Sequence, residues 1–258
     1  MSAIVGVYYL DGRPVDPLDL GRMVEILAHR GPDGADVWCK ESVGLGHCML
    51  WTTPESLQEK LPRVNGTGNL AITADARIDN RDELIRALDM TDHPPVEIAD
   101  SQLILAAYEK WGERCPEHLL GDFAFVIWDG HRQVLFCARD HFGMKPFYYC
   151  YQPGQAFAFA SEVKALLGLP WVPRRLNEVR VADYLASLVE DKAITFYQGI
   201  LRLPPAQSIT LDREGLWHQE YWSLDPSREV RCSSDEEYAE TFREIFTEAV
   251  RCRLRSAF

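Results

Sequence analysis

The sequence predicts an α+β domain in which two sheets pack on each other with helices outside, and three observations carry that prediction. Short, nearly continuous apolar runs recur in two groups along the chain, each bounded by Gly, Pro, Asn or Asp, which is how strands covered on both faces read. Stretches with apolar residues at helical spacing lie among these runs. The composition, 47% hydrophobic and 11% aromatic, supplies enough apolar surface to offset the entropy of ordering the chain. At roughly 150 residues per domain, a chain of 258 residues holds one large domain or a domain and a half.

The first run, Ala3–Tyr9, is apolar and β-branched, ends at the turn pair Asp11-Gly12, and reads as a buried strand. Leu20, Met23, Val24 and Leu27 then recur at helical spacing, so a helix with Asp16 as N-cap and Pro17 at its first position runs to about Ala28. Strands are predicted over 35–39, 43–49 and 70–76, with the turn-rich Asn65-Gly66-Thr67-Gly68 before the last. Helices follow over 81–87 and 102–110, the second capped by Asp100 or Ser101, with Ile104, Ala107, Tyr108 and Trp111 on one face. After Pro116 come four strands, over 123–129, 133–139, 147–151 and 156–161. The layered domain ends near Gly168, and Pro170, Pro173 and Arg174-Arg175 mark a boundary. Beyond it are a short helix over 181–189, strands over 208–212 and 218–222, and a helix opened by the capping box Ser234-x-x-Glu237. Tyr238, Phe242, Ile245 and Ala249 form an apolar stripe on that helix, which needs a partner.

The excess of 39 acidic over 27 basic side chains, without any Lys/Arg block, argues against nucleic acid as a partner. No apolar stretch reaches the roughly 18 residues that span a bilayer, and no basic n-region precedes an apolar segment at the amino terminus, so a cytoplasmic location without membrane attachment is expected. Seven cysteines, an odd number with no C-x-x-C pair, read as reduced thiols. The phosphate-cradling patterns G-x-x-x-x-G-K-[ST] and G-x-G-x-x-G do not occur, nor does the zinc motif H-E-x-x-H.

Several segments, in order, resemble asparagine synthetase, whose amino-terminal part is a class II glutamine amidotransferase of the N-terminal-nucleophile hydrolase type. They are His29-Arg30-Gly31-Pro32-Asp33, Ile78-x-Asn80 with Glu83-Leu84, Gly121-Asp122-Phe123-Ala124, Arg139-Asp140-x-x-Gly143-x-Lys145-Pro146, and Phe159-Ala160-Ser161-Glu162-x-Lys164. Gly199-Ile200, Leu203-Pro204-Pro205 and Tyr221-Trp222 are similar to the family's connector into its ATP-using domain. The resemblance covers about residues 1–222. Read locally, Gly31, Pro32 and Gly143 shape turns, and Asp33 and Asp140 cap backbone amides. The resemblance implies a four-layer αββα sandwich over 1–168, a connector over 169–233, and over 234–258 the first helix of a truncated synthetase domain.

In the family as the resemblance implies it, an amino-terminal Cys attacks the glutamine amide with its own α-amine as base. Ser2 stands at that position here; its small side chain permits removal of Met1, and an amine near pKa 7.7–8.0 can serve as base. The pocket departs further. Asp75-Ala76-Arg77 replaces the Asn-Gly oxyanion pair and the Glu that holds the substrate ammonium, and Met49 replaces the Arg that clamps the substrate carboxylate. A carboxylate cannot donate to an oxyanion, and losing one such donor costs about 2.7–4 kcal/mol in barrier. Arg77 reverses the sign of the ammonium site, and Met49 removes a bidentate fork. Asp100 matches the family Asp that assists the ammonium, and a pairing of Asp75 with Arg77 or with another polar group is expected from their spacing on one strand end.

These substitutions point to a pseudo-glutaminase, the amino-terminal module of an ATP-dependent amide-forming ligase. The resemblance places it with β-lactam synthetases and lasso-peptide macrocyclases, in which Mg-ATP activates a carboxylate and an internal amine closes the amide. ATP and Mg are expected for the synthetase domain and no cofactor for these residues, since the Ser-Gly-Gly-x-Asp-Ser pyrophosphate loop is absent from them. Two alternatives stand beside this reading: a glutamine-hydrolysing asparagine synthase that uses Ser2, and a stand-alone interaction module for a separate synthetase subunit. The partner is accordingly a synthetase domain in cis or such a subunit, and a homodimer is expected by analogy of fold alone.

Overall fold

Alternation along strand β1 (Ala3–Tyr9) sets the layer order. The computed structural model describes residues 1–188 and 190–257. After β1 come helix α1 (Pro17–Ile26), strands β2 (Gly34–Lys40), β3 (Val43–Met49), β4 (Arg63–Val64) and β5 (Leu70–Ile78), and helices α2 (Arg81–Ala87) and α3 (Asp100–Trp111). Strands β6 (Gly121–Asp129), β7 (Val134–Arg139), β8 (Tyr148–Gln152) and β9 (Ala156–Ala160) lead to the short helix α4 (Val163–Leu166) and to α5 (Glu178–Leu185). Strands β10 (Ile200–Arg202), β11 (Gln207–Leu211) and β12 (Leu216–Glu220) precede helix α6 (Asp235–Arg253). Among the described residues the strands form two six-stranded sheets, ordered β10-β8-β9-β1-β3-β2 and β12-β11-β7-β6-β5-β4.

Ala3, Val5, Val7 and Tyr9 pack on Leu20 and Met23 of α1 and on Ala165 and Leu166 of α4. Ile4 and Tyr8 turn the other way, against Val126 and Trp128 of β6. Phe123, Phe125 and Ile127 of the same strand face Leu103, Ile104 and Ala107 of α3. Helix, sheet, sheet and helix are thus stacked in that order, as a sequence of strands covered on both faces requires. Each buried Phe contributes roughly 1.5–3 kcal/mol through the apolar surface it withdraws from water. Close approach of α1 depends on Gly46, where a Cβ would stand 2.7 Å from Val5 and 2.8 Å from Val24.

Several local predictions shift. The N-cap of α3 is Ala99 rather than Asp100 or Ser101, and Gln102 Oε1 accepts from the Ala99 N–H at 2.8 Å. Helix α5 begins at Glu178, three residues before the predicted start at Val181, and ends at Leu185, with Asn177 as its cap; Val189, the predicted end, lies outside the described residues. The segment read as a connector over 169–233 contributes β10, β11 and β12, and Ile200, Leu203, Ile209 and Leu211 are fully buried in the layers they join. A short apolar strand such as Ile200–Arg202 shows no periodicity in sequence, so its pairing with β8 is decided by the sheet.

At the start of α6, Ser234 accepts from the Glu237 N–H, but the Glu237 carboxylate reaches the Ser233 N–H at 2.7 Å instead of closing the capping box. The stripe on α6 is exposed, Phe242 at 69% and Ile245 at 67%. No helix among the described residues is long and apolar enough to cross a membrane.

Candidate active site

Strand β1, between β9 and β3, carries Ser2 to the end of the sandwich beside the carboxyl end of β3. The Leu50 N–H donates to Ser2 Oγ at 3.0 Å, and the hydroxyl lies 3.4 Å from the Leu50 carbonyl and 4.0 Å from Met49 Sδ. Two of the sequence motifs meet around it. Arg30 Nε and Nη2 donate to the Ser2 carbonyl at 3.2 Å, while Arg30 Nη1 binds Glu162 at 3.1 Å. Gly31 makes this turn fit, since a Cβ there would stand 2.3 Å from the Cys48 backbone. Asp33 then fixes the next segment by accepting from the Trp51 N–H at 2.8 Å. The hydroxyl of Ser161 accepts from the Ile4 N–H at 2.9 Å, which ties the last motif to the same strand.

The fourth motif reaches Asp75. Asp140 accepts from the N–H groups of Phe142, Met144 and Lys145 at 2.8–3.1 Å, and Arg139 binds the carbonyls of Gly143, Lys145 and Leu203, so the loop between β7 and β8 is held on both sides. From that loop Lys145 Nζ extends to Asp75 Oδ1 at 2.6 Å. Arg30 Nη2 stands 3.8 Å from Asp75 Oδ2. The carboxylate is only 4% exposed, so the ion pair replaces its hydration rather than sharing it. Burial holds the Met1 ammonium below its usual value of 8.0; Asp75 opposes the shift, and Lys145 and Arg30 add to it. Lys145 and Arg30 were not singled out as site residues in the sequence, although both lie in quoted motifs; Gly143, at φ +66°, is the local signal that the loop is built to a fixed shape.

Arg77 does not pair with Asp75. Its guanidinium binds Asp79 at 3.0 Å and, across the ladder, Asp122 at 3.3 Å. Register puts Arg77 opposite Asp122, and Gly121 is required beside them because a Cβ would stand 2.1 Å from the Arg77 carbonyl. Ala76 turns its methyl to the α2–α3 layer, and Met49, 6% exposed, joins the same apolar cluster with Leu61. Asp100, at the first residue of α3, accepts from the Ile78 N–H at 3.1 Å, is hydrogen-bonded to Arg81, and has Arg255 Nη2 at 3.6 Å. Burial pushes its pKa up, and Arg81 and then Arg255 oppose the shift.

The residues singled out in the sequence thus fall into two groups along β5. Ser2, Met49 and Asp75 gather with Arg30 and Lys145 at one; Arg77 and Asp100 engage charged partners of their own at the other. Between β2 and the loop after β3 lies a cavity of about 170 Å³ lined by His47, Met49, Trp51 and Glu59. His47 is neutral there, its pKa pushed down to about 3 by burial, and it shares a hydrogen bond with the Thr73 hydroxyl at 3.2 Å.

The family profile described as "Glutamine amidotransferase domain" matches residues 1–222. Among curated proteins the chain is similar to "Asparagine synthetase [glutamine-hydrolyzing] 3" of Bacillus subtilis, 29% identical over 239 residues covering 92% of this chain and 38% of that protein. It is also similar to "Putative asparagine synthetase [glutamine-hydrolyzing] 2" of Methanocaldococcus jannaschii, 27% identical over 264 residues covering 95% of this chain and 51% of that protein. The chain therefore spans between a third and about half of the length of these relatives. Among solved structures, glutamine phosphoribosylpyrophosphate amidotransferase from Bacillus subtilis superposes with a TM-score of 0.60 at 15% identity, over 86% of this chain and 50% of that one, a likeness of fold.

Proposed function

The chain belongs to the glutamine amidotransferase domain family, as an asparagine-synthetase-like member, and we propose that its glutaminase chemistry has been lost. The observation that carries this reading is the buried pair of Asp75 and Lys145 at 2.6 Å. A glutaminase site needs a donor at this strand position to hold the developing oxyanion, and here a carboxylate occupies it, neutralised by a lysine and flanked by Arg30. Met49 offers an apolar wall where a substrate carboxylate would need a cation, and Arg77 is already shared between two carboxylates. The Leu50 N–H engages a lone pair of Ser2 Oγ, the atom that would have to attack. Incubating the purified chain with glutamine gives ammonia and glutamate no faster than the buffer does; turnover that disappears in Ser2→Ala would overturn the proposal.

In this reading the amide is formed elsewhere, by a synthetase-type domain or subunit that activates a carboxylate with Mg-ATP and accepts an internal amine. The described residues contain no cluster of three or more His, Cys, Asp or Glu suited to a metal and the sequence contains no pyrophosphate loop; the reading assigns Mg-ATP to that synthetase-type partner. The exposed stripe of Phe242, Ile245 and Phe246 on α6 supports a partner that packs there.

A further inference from the structure

We infer that the end of the pocket formed by Asp100, Glu55 and the Ile78 carbonyl is a receptor for an arginine side chain on an extended segment, with Arg255 its occupant in cis. This rests on the reading that glutamine is no longer the ligand. Although most of α6 is exposed, its last turn and the segment after it return to the domain. Arg253 binds Asp122 at 3.2 Å, Arg255 Nη2 donates to the Ile78 carbonyl at 2.9 Å, and the Ala257 N–H donates to the Thr52 carbonyl at 3.0 Å. The Arg255 side chain is 20% exposed, against 74% for Arg243 and Arg251 on the helix before it.

Charge counting favours a cation here. Glu55 and Asp100 are 9% and 5% exposed, and Arg81 reaches both, at 3.5 Å from Glu55 and in direct contact with Asp100. One guanidinium facing two buried carboxylates leaves a negative charge over, which is costly away from water. Arg255 supplies the balance, with Nη2 at 3.6 Å from Asp100 and Nε at 3.7 Å from Glu55 Oε2. That Glu55 oxygen is buried and has no hydrogen-bond partner, so the site holds an acceptor aimed at a cation and not yet fully used. Two carboxylates and a carbonyl spread around one group match the planar fork of a guanidinium, whereas an ammonium, as a point charge, reaches fewer of them at once. The same Asp100 is then closed to the ammonium of an amino acid.

The test is calorimetric titration of the full chain and its Arg255→Ala variant with N-acetyl-arginine methylamide, using the lysine analogue as control. Arg255→Ala is expected to bind the arginine probe at least about tenfold more tightly than the unaltered chain, which carries its own competitor, and to bind the lysine probe at least about tenfold more weakly. Adding Asp100→Asn to Arg255→Ala abolishes the binding; if that variant does not fold, Glu55→Gln takes its place. Absence of saturable arginine binding by Arg255→Ala, or equal affinity in the two chains, overturns the inference. Glutamine turnover measured on the same Arg255→Ala sample separates the two readings. Turnover without arginine binding overturns both, and neither turnover nor binding overturns only this one.

Discussion

Asp75 and Asp100 are carboxylates of similar burial, 4% and 5% exposed, and both are met by two cations, yet they are built differently. The cations of Asp75 come from turns that the sandwich fixes: Lys145 from a loop anchored on Asp140, and Arg30 from a turn packed on β3 through Gly31. Asp100 has one fixed cation, Arg81, which is also bound to the carbonyls of Pro95 and Ile98, and a second, Arg255, from a segment beyond the sheets. The difference teaches that the first site is closed by the fold itself, whereas the second is closed by a piece of chain that can be exchanged for another.

The largest expected effect is at Asp100. Its replacement by Ala strands the buried Arg81 and the Ile78 N–H, and is expected to cost about 3–5 kcal/mol in urea denaturation. A loss under about 1 kcal/mol would show that Arg81 is satisfied without it, and that the two sites are not comparable.

The next effect is a pH dependence beside Asp100. Glu59 accepts from the Ser101 N–H at 3.1 Å, and its pKa is pushed up from 4.5 to about 7, first by burial and further by the charge of Asp100. A carboxyl whose folded value is raised holds its proton more tightly when folded. Its contribution is complete below about pH 4.5 and is lost as pH rises toward 7. Glu59→Gln keeps an acceptor for Ser101 and removes that loss, so it is expected to stabilise the chain at pH 8 by at most about 3 kcal/mol and much less at pH 4.5. Stability curves of the two proteins that run parallel from pH 4.5 to 8 would exclude the raised value.

The smallest effect is expected at Asp75. Lys145→Met leaves the carboxylate with Arg30 at 3.8 Å, and the loss should be about 1–3 kcal/mol. Combining it with Asp75→Leu should recover most of that loss, since two apolar side chains need no partners. A loss in the double variant equal to the sum of the losses in Lys145→Met and Asp75→Leu alone would mean that the pair is not coupled.

Much of the fold was legible in the residues because its strands are buried on both faces. Ala3–Tyr9 is apolar throughout and Val43–Met49 is apolar but for His47, and the structure places both at the limits read from the sequence. Arg63–Val64 and Ile200–Arg202 were not legible, being too short to show a period, and they exist because a neighbouring strand has an open edge. Of the candidate site, the positions were found but not their partners. Asp75 and Arg77 lie about 6.7 Å apart along one strand, which invited a pairing between them. Each instead meets a charge brought in by register or by a loop, Asp122 across the ladder and Lys145 from the loop between β7 and β8.

The sequence alone determined the layer order, the turns of the motifs and the chemical identity of the pocket residues, because apolar period, glycine geometry and side-chain charge are local properties. Only the tertiary structure decided which cation neutralises which carboxylate. In a pocket with little water, a charge takes whatever partner the packed backbone brings within a few ångströms, and for Asp75 and Asp100 those partners come from Lys145 and Arg255.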